Sequence, residues 1–184
     1  MQNQEEETKD TIIKKILHEV LEWVITTIGA FAIAIFISFF IIVNAKVPTS
    51  SMEKTIMTGD RVLGLRLAYV FSEPERGDVV IFKYPDNEKI LYIKRIIGMP
   101  GDKVEIKEGK VFINDEALSE PYLRVTTNGN FGPYQVPEGH YFMMGDNRNN
   151  SADSRYWENT YLEREKIVGK ALFCYYPNFN MLNY

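Results

Sequence analysis

Between Trp23 and Val43 the chain carries no charged side chain (WVITTIGAFAIAIFISFFIIV). At about 1.5 Å per residue such a run is about 30 Å long as a helix, the thickness of one bilayer core. A helix of a soluble domain this small needs a polar face, and this stretch has none. A cleaved secretory leader would carry an apolar stretch of only about 7–15 residues, closed by a small-residue processing site. Here the run is longer and leads straight into sequence with chemistry, so an uncleaved transmembrane anchor is expected over residues 23–45. Upstream, residues 11–22 (TIIKKILHEVLE) place Ile12, Ile13, Ile16, Leu17, Val20 and Leu21 at helical spacing, which predicts a juxtamembrane helix. Residues 1–10 are polar and acidic (Glu5, Glu6, Glu7, Asp10) and are expected to be disordered. Lys14 and Lys15 precede the span, and Lys46, Lys54 and Arg61 follow it. Long translocated domains largely escape the positive-inside rule, so these charges favour a cytoplasmic N-terminus only weakly.

Composition removes several classes. Hydrophobic residues make up 45% of the 184 residues and charged residues 25%, unlike a disordered, collagen-like or disulfide-rich chain. A net charge of −4 gives no electrostatic footprint for nucleic acid. One cysteine, Cys174, forbids an internal disulfide and any site needing several thiolates. Two histidines, His18 and His140, cannot make a three-histidine zinc site. No metal, nucleotide or flavin motif is present, so no cofactor is expected.

Residues 46–184 read as strands. RVLGLRL (61–67), DVVIFKY (78–84), ILYIKRIIG (90–98), KVEI (103–106), KVFIND (110–115), HYFMMG (140–145) and KIVGKALFCYY (166–176) are β-rich and separated by Gly, Pro and Asn/Asp turns. Residues 104–113 predict a hairpin about Glu108-Gly109. The expected fold is mainly β: an antiparallel sheet domain with little helix, preceded by one transmembrane helix.

Three segments can carry chemistry, and each has a plain reading when taken alone. Pro48-Thr49-Ser50-Ser51-Met52 resembles a loop or helix cap. In Tyr92-Ile93-Lys94-Arg95-Ile96-Ile97-Gly98, strand alternation sets Lys94 between Tyr92 and Ile96, where a surface lysine could snorkel. Residues 145–155 (GDNRNNSADSR) are too polar for a core, and Asp146, Arg148, Asp153 and Arg155 can pair to brace a site.

Together the motifs P-T-S-S-M (48–52), R-G-D-V-V-I-F (76–82), Y-I-K-R-I-I-G-M-P-G-D (92–102) and G-D-N-R-N-N-S-A-D-S-R (145–155) resemble, in order, those of bacterial type I signal peptidases. These are membrane-bound Ser/Lys proteases that cut signal peptides after Ala-x-Ala-like sites. The resemblance runs from the anchor almost to the C-terminus, and it implies a barrel-like antiparallel sheet domain with a small second β lobe at about residues 104–141. It implies Ser51 as nucleophile, Lys94 as general base, and Thr49 with the Ser51 backbone N–H as oxyanion hole. It also implies that Ser151 orients Lys94 and that Asp146 with Arg95, and Asp153 with Arg155, are structural charge pairs. It further implies a cytoplasmic N-terminus (residues 1–22) and an extracytoplasmic peptidase domain (46–184) on the cell membrane. Its partners would be secretory preproteins and the lipid bilayer, with no nucleic acid and an oligomeric state left open.

The residue types suit that chemistry. A serine hydroxyl is a poor nucleophile until a base takes its proton. A lysine is such a base only when neutral, so its pKa must fall from about 10.4 toward 7–8, which burial achieves. Val47, Pro48, Met52, Tyr92 and Ile93 are suited to line shallow −1 and −3 pockets, with the peptide adding as a strand. Trp157, Tyr156, Phe131 and Tyr134 can rest on the bilayer surface or pack in the core.

The family pattern is broken at Lys54, where proline is usual, at Glu158, where glycine is common, at Asn149, which replaces a frequent aspartate, and at Thr49, which replaces a frequent serine. Of these, Lys54 stands in the loop just behind Ser51. The rival readings are an anchored non-catalytic binding module, a sortase-like transpeptidase using Cys174 and His140, a penicillin-binding S-x-x-K site at Ser51 and Lys54, and a self-cleaving repressor. The last lacks its DNA-binding half here.

Overall fold

The computed structural model describes residues 2–123 and 125–182, with side chains from residue 14 onward. It divides into two compact units that meet between Ile41 and Ile42.

The first unit is one helix, α1 (Gln2–Phe36), ending in a π-helical turn at Ile37–Ile41. Residues 2–10 are helical backbone, where disorder was expected. Glutamate, glutamine and lysine are strong helix formers, and acidic residues at a helix N-terminus complement its dipole. Lys14–Ile41 is long and apolar enough to cross a membrane, with a mean hydropathy of 2.5. Trp23, Phe31 and Phe39 are all exposed along it, so these rings have no core of their own.

The second unit is almost all β. Its strands are β1 (Ile42–Lys46), β2 (Arg61–Leu65), β3 (Val79–Tyr84), β4 (Asn87–Gly98), β5 (Lys103–Lys107), β6 (Lys110–Ile113), β7 (Glu116–Ala117), β8 (Phe131–Gln135), β9 (His140–Met144), β10 (Leu162–Glu163), β11 (Ile167–Tyr176) and β12 (Asn180–Met181). The larger sheet has the order β1-β2-β11-β3-β4-β9-β10, with β12 added to β11. The smaller has the order β7-β6-β5-β8. All their pairings are antiparallel.

Ile42–Ala45, expected in the anchor, form β1 instead. Isoleucine and valine suit a strand as well as lipid, and Val43 is buried against Val62, Ile81 and Cys174. The hairpin β5–β6 closes on Glu108 and Gly109, both at positive φ (52° and 78°), the backbone that two-residue hairpin turns require. At the end of β4, Gly98 lets the two sheets approach closely. A Cβ there would lie 2.6 Å from Val104 Cγ2 and 2.9 Å from Phe142 Cβ.

The aromatics weighed for the bilayer surface mostly turn inward. Trp157 is 6% exposed and packs on Phe82, Tyr84 and Tyr92. Tyr134 packs on Phe142 beneath the smaller sheet. Phe131 is half-buried, with Tyr156 across its ring at 5.5 Å. Only Tyr156 of the four is exposed.

Candidate active site

The turn after β1 is set by its apolar residues. Met52 and Ile56 are buried in the core below the larger sheet, and Ile56 N–H closes on Met52 O at 2.8 Å. That anchoring lifts Pro48–Ser51 over the open side of β1. Lys94 reaches the same point from the middle of β4, where it is 3% exposed. Its Nζ donates to Ser51 Oγ (2.6 Å) and to Ile93 O (3.2 Å), and lies 5.1 Å from the Tyr92 ring centre. Burial pushes the Lys94 ammonium down to about 8, against the opposing pull of Asp153 and Asp146. Thr49 Oγ1 stands 3.3 Å from Ser51 Oγ.

Behind this pair lie two buried ion-pair forks. Arg95 grips Asp146 through Nε–Oδ1 (2.9 Å) and Nη2–Oδ2 (2.6 Å), and Thr55 Oγ1 donates to the same carboxylate (2.5 Å). Arg155 grips Asp153 at 2.8 Å through both Nε and Nη2. Asp153 also accepts from Gly145 N–H (3.1 Å). Bidentate pairs of this kind fix orientation as well as charge. Gly145 can be nothing larger: a Cβ there would lie 2.3 Å from Ser151 Oγ and 2.4 Å from Ser51 O.

Ser151 therefore sits beside Gly145, but its hydroxyl makes no hydrogen bond. The bond to Lys94 expected of it is not formed: its Oγ is turned into the tight space at Gly145, and Lys94 Nζ donates to Ser51 Oγ and Ile93 O.

Ser51 and Lys94 lie at the floor of a cleft of about 530 Å³. Val47, Pro48, Met52, Tyr92 and Ile93 all line it. Ile90, Leu91 and Asn44, not anticipated, line it too. Two unpaired strand edges also contribute. Among the described residues β1 ends the sheet and pairs with β2 alone. In β4, β9 pairs from Arg95 onward, so among the described residues Leu91–Lys94 has β3 on one side only.

A serine, a buried amine with a depressed pKa and an apolar cleft with free backbone edges form a constellation suited to peptide hydrolysis. The family described as "Signal peptidase, peptidase S26" matches residues 20–176. The chain belongs to that signal peptidase family. Signal peptidase I of Bacillus amyloliquefaciens is 37% identical, covering 98% of both chains. Signal peptidase I T of Bacillus subtilis is also 37% identical, covering 89% of both. A solved signal peptidase I from Enterococcus faecalis aligns with 34% identity over 54% of this chain and 97% of its own, with a TM-score of 0.47.

Placed on this signal peptidase fold, the rival sites come apart. Cys174 is buried in β11, its thiol pushed up to about 12 by burial and by Asp60. His140 opens β9, opposite Glu163, and β3 and β4 lie between β9 and β11. At about 4.8 Å per strand the two side chains are far apart. Lys54 is exposed, at a φ of +79° closed to proline, and the amine on Ser51 is Lys94 instead. Neither a cysteine transpeptidase nor an S-x-x-K site is assembled.

Sequence reasoning named Arg148 as a bracing charge but passed over Asn147 and Asn150 as individual residues, though it quoted their motif, and missed Thr55 and Glu120 entirely. Asn147 N–H donates to Ser51 O (3.0 Å), and Asn150 Nδ2 to Ser50 Oγ (2.8 Å). The density of asparagine beside Gly145 was the available signal.

Proposed function

We propose that this chain is a membrane-anchored serine endopeptidase that removes N-terminal signal peptides from secretory preproteins. α1 is its single-pass anchor in the cell membrane, residues 1–22 are cytoplasmic, and the β unit works on the extracytoplasmic face. The observation that carries the reading is the 2.6 Å contact between buried Lys94 Nζ and Ser51 Oγ at the floor of the cleft.

With Lys94 neutral, that contact runs in the reverse sense, Ser51 Oγ–H donating to Nζ. Lys94 takes the proton as Ser51 Oγ attacks the scissile carbonyl carbon. The oxyanion receives hydrogen bonds from Thr49 Oγ1 and the Ser51 backbone N–H. Collapse of the tetrahedral intermediate breaks the C–N bond, and the Lys94 ammonium returns its proton to the departing amine, the new N-terminus of the mature protein. A water, deprotonated by Lys94, then attacks the acyl carbon, the ester C–O bond to Ser51 breaks, and the Lys94 ammonium returns the proton to Ser51 Oγ. The signal peptide lies extended along the free edges of β1 and β4. Val47, Pro48, Met52, Tyr92 and Ile93 leave room for small side chains at −1 and −3. Asp146 with Arg95, and Asp153 with Arg155, hold the β4 and 145–155 segments in register.

The test is cleavage of a signal-peptide fusion with alanine at −3 and −1 by the full chain in detergent, reading the new N-terminus by mass spectrometry. Cleavage after the −1 alanine is expected, with leucine at −1 lowering kcat/KM by more than about 10²-fold, since a pocket shaped for a methyl group rejects the larger chain sterically. A folded protein that cuts neither substrate overturns the reading. Thr49→Val is expected to lower kcat about 10²-fold, the scale of one lost oxyanion donor, while Thr49→Ser stays within about threefold. Equal activity in the two variants removes the Thr49 hydroxyl from the oxyanion hole.

A further inference from the structure

Ser50 and Ser51 are tied, through backbone and side chain, to the loop Gly145–Asn150. Besides the bonds from Asn147 N–H and Asn150, Asn147 Nδ2 donates to Ser50 O (3.0 Å). That loop is in turn gripped by segments flanking the smaller sheet. Glu120, just after β7, puts both carboxylate oxygens on Arg148, with Nη1–Oε2 at 3.0 Å and Nη2 on Oε1. The Arg148 side chain is fully buried and that of Glu120 is 7% exposed. A buried guanidinium needs its counter-charge, so Arg148 keeps the one position that Glu120 permits. Arg148 Nε also donates to Gly145 O (3.2 Å), passing that constraint to the loop backbone.

Tyr122 extends the grip. Its Oη donates to Glu120 Oε1 (2.7 Å), and its ring lies 4.0 Å from the guanidinium carbon of Arg95, the neighbour of Lys94. Stacking of a guanidinium on an aromatic face is worth most where both are desolvated. Asn149 closes a second clip. Its Nδ2 donates to Thr126 O (3.0 Å), and its Oδ1 accepts from Asn128 N–H (2.8 Å). An aspartate at 149 keeps the acceptor, loses the donor and sets a carboxylate against the Thr126 carbonyl. The departure of this chain at Asn149 therefore fits its own neighbours.

We propose that Glu120, Tyr122 and Asn149 are positioning residues, through which the smaller sheet sets where the Gly145–Asn150 loop holds Ser51 against Lys94. The proposal rests on Ser51 being the nucleophile. None of the three residues lines the cleft. Their loss therefore moves the reacting groups while leaving the substrate walls in place, and a misplacement on the order of 1 Å costs about 10²-fold in rate.

The test is steady-state kinetics of the full chain in detergent on the alanine-site fusion, with the folded fraction of each variant taken from thermal unfolding and kcat stated per folded molecule. Glu120→Gln is expected to lower kcat about 30-fold with KM within twofold. Tyr122→Phe keeps its ring on Arg95 and is expected within about threefold, while Tyr122→Leu falls about tenfold. Asn149 is exposed, so Asn149→Asp stays folded even where Glu120→Gln does not, and about a fivefold loss in kcat is expected. Unchanged kcat per folded molecule in Asn149→Asp and Tyr122→Leu overturns the proposal, as does a loss carried by KM. Activity that survives Ser51→Ala overturns the nucleophile assignment instead.

Discussion

Lys94→Met is expected to lower kcat about 10⁴-fold, leave KM nearly unchanged and raise the stability of the protein at pH 7. The rate loss is that of removing the group proposed to carry every proton in both halves of the reaction. Methionine matches the lysine stem in length and flexibility, so the floor of the cleft stays filled. The stability gain follows from linkage. The Lys94 pKa falls from 10.5 to about 8 on folding, so the unfolded chain binds its proton more tightly than the folded one. The resulting penalty is present in full below about pH 8 and fades as pH rises through 10.5. Its size is on the order of 3 kcal/mol, and Lys94→Met removes it. Denaturant unfolding at pH 7 and again above pH 10.5 checks this, with the difference between variant and wild type shrinking at the higher pH. The wild-type pH–rate profile carries the same signature. The kcat/KM falls about tenfold per pH unit below about 8, where Lys94 is an ammonium and cannot accept a proton, and levels off above. Ser51→Ala is expected to cost as much as Lys94→Met, and the double variant no more than either, because the two residues act as one unit. Cleavage by Lys94→Met within a hundredfold of wild type would mean that another group takes the serine proton.

The candidate catalytic residues were legible because their motifs stand together in order. A lysine beside an arginine in a strand run, and a cluster of charge and asparagine after a glycine, each have a plain reading alone, and the motif order ties them together. The long strands were legible for a similar reason: Val79–Tyr84 and Ile167–Tyr176 alternate or run apolar long enough to show a period. Strands of two residues, such as Glu116–Ala117 and Leu162–Glu163, have no period to show. The end of the anchor was misplaced because Ile-Ile-Val reads the same whether the apolar surroundings are lipid or the core around Val62 and Ile81. Trp157 was ambiguous for the same reason. Glu120 was silent because its meaning lies in Arg148, 28 residues away, and a lone Glu-Pro-Tyr gives no sign of a buried guanidinium waiting for it. Nor could the direction of the Ser151 hydroxyl be read, since it is decided by the space left at Gly145.

Asp146→Asn is expected to destabilise the β unit by about 3–5 kcal/mol and to lower kcat at least 10²-fold. The change is nearly isosteric, so the effect is one of charge. The Arg95 side chain is fully buried and that of Asp146 is 2% exposed, and both arms of the fork end on this carboxylate. With asparagine, Arg95 keeps one acceptor and loses its counter-ion in a medium that solvates it poorly, and Thr55 loses the anion it donates to. Three segments then lose their common tie: the Ser51 turn through Thr55, β4 through Arg95, and the Gly145–Asn150 loop itself. The charge change also has a sign. Asp146 and Asp153 both act to hold the Lys94 proton, against the burial that expels it. Removing the Asp146 charge therefore moves the acidic limb of kcat/KM to lower pH, below about 8, which unfolding alone would not do. Arg95→Met combined with Asp146→Leu removes both buried charges together and is expected to recover most of the lost stability without recovering the rate, since an apolar pair refills the space but ties no hydroxyl and orients no strand. Recovery of the rate along with the stability would show that the fork only holds the fold, and that the alignment of Ser51 with Lys94 is secured elsewhere.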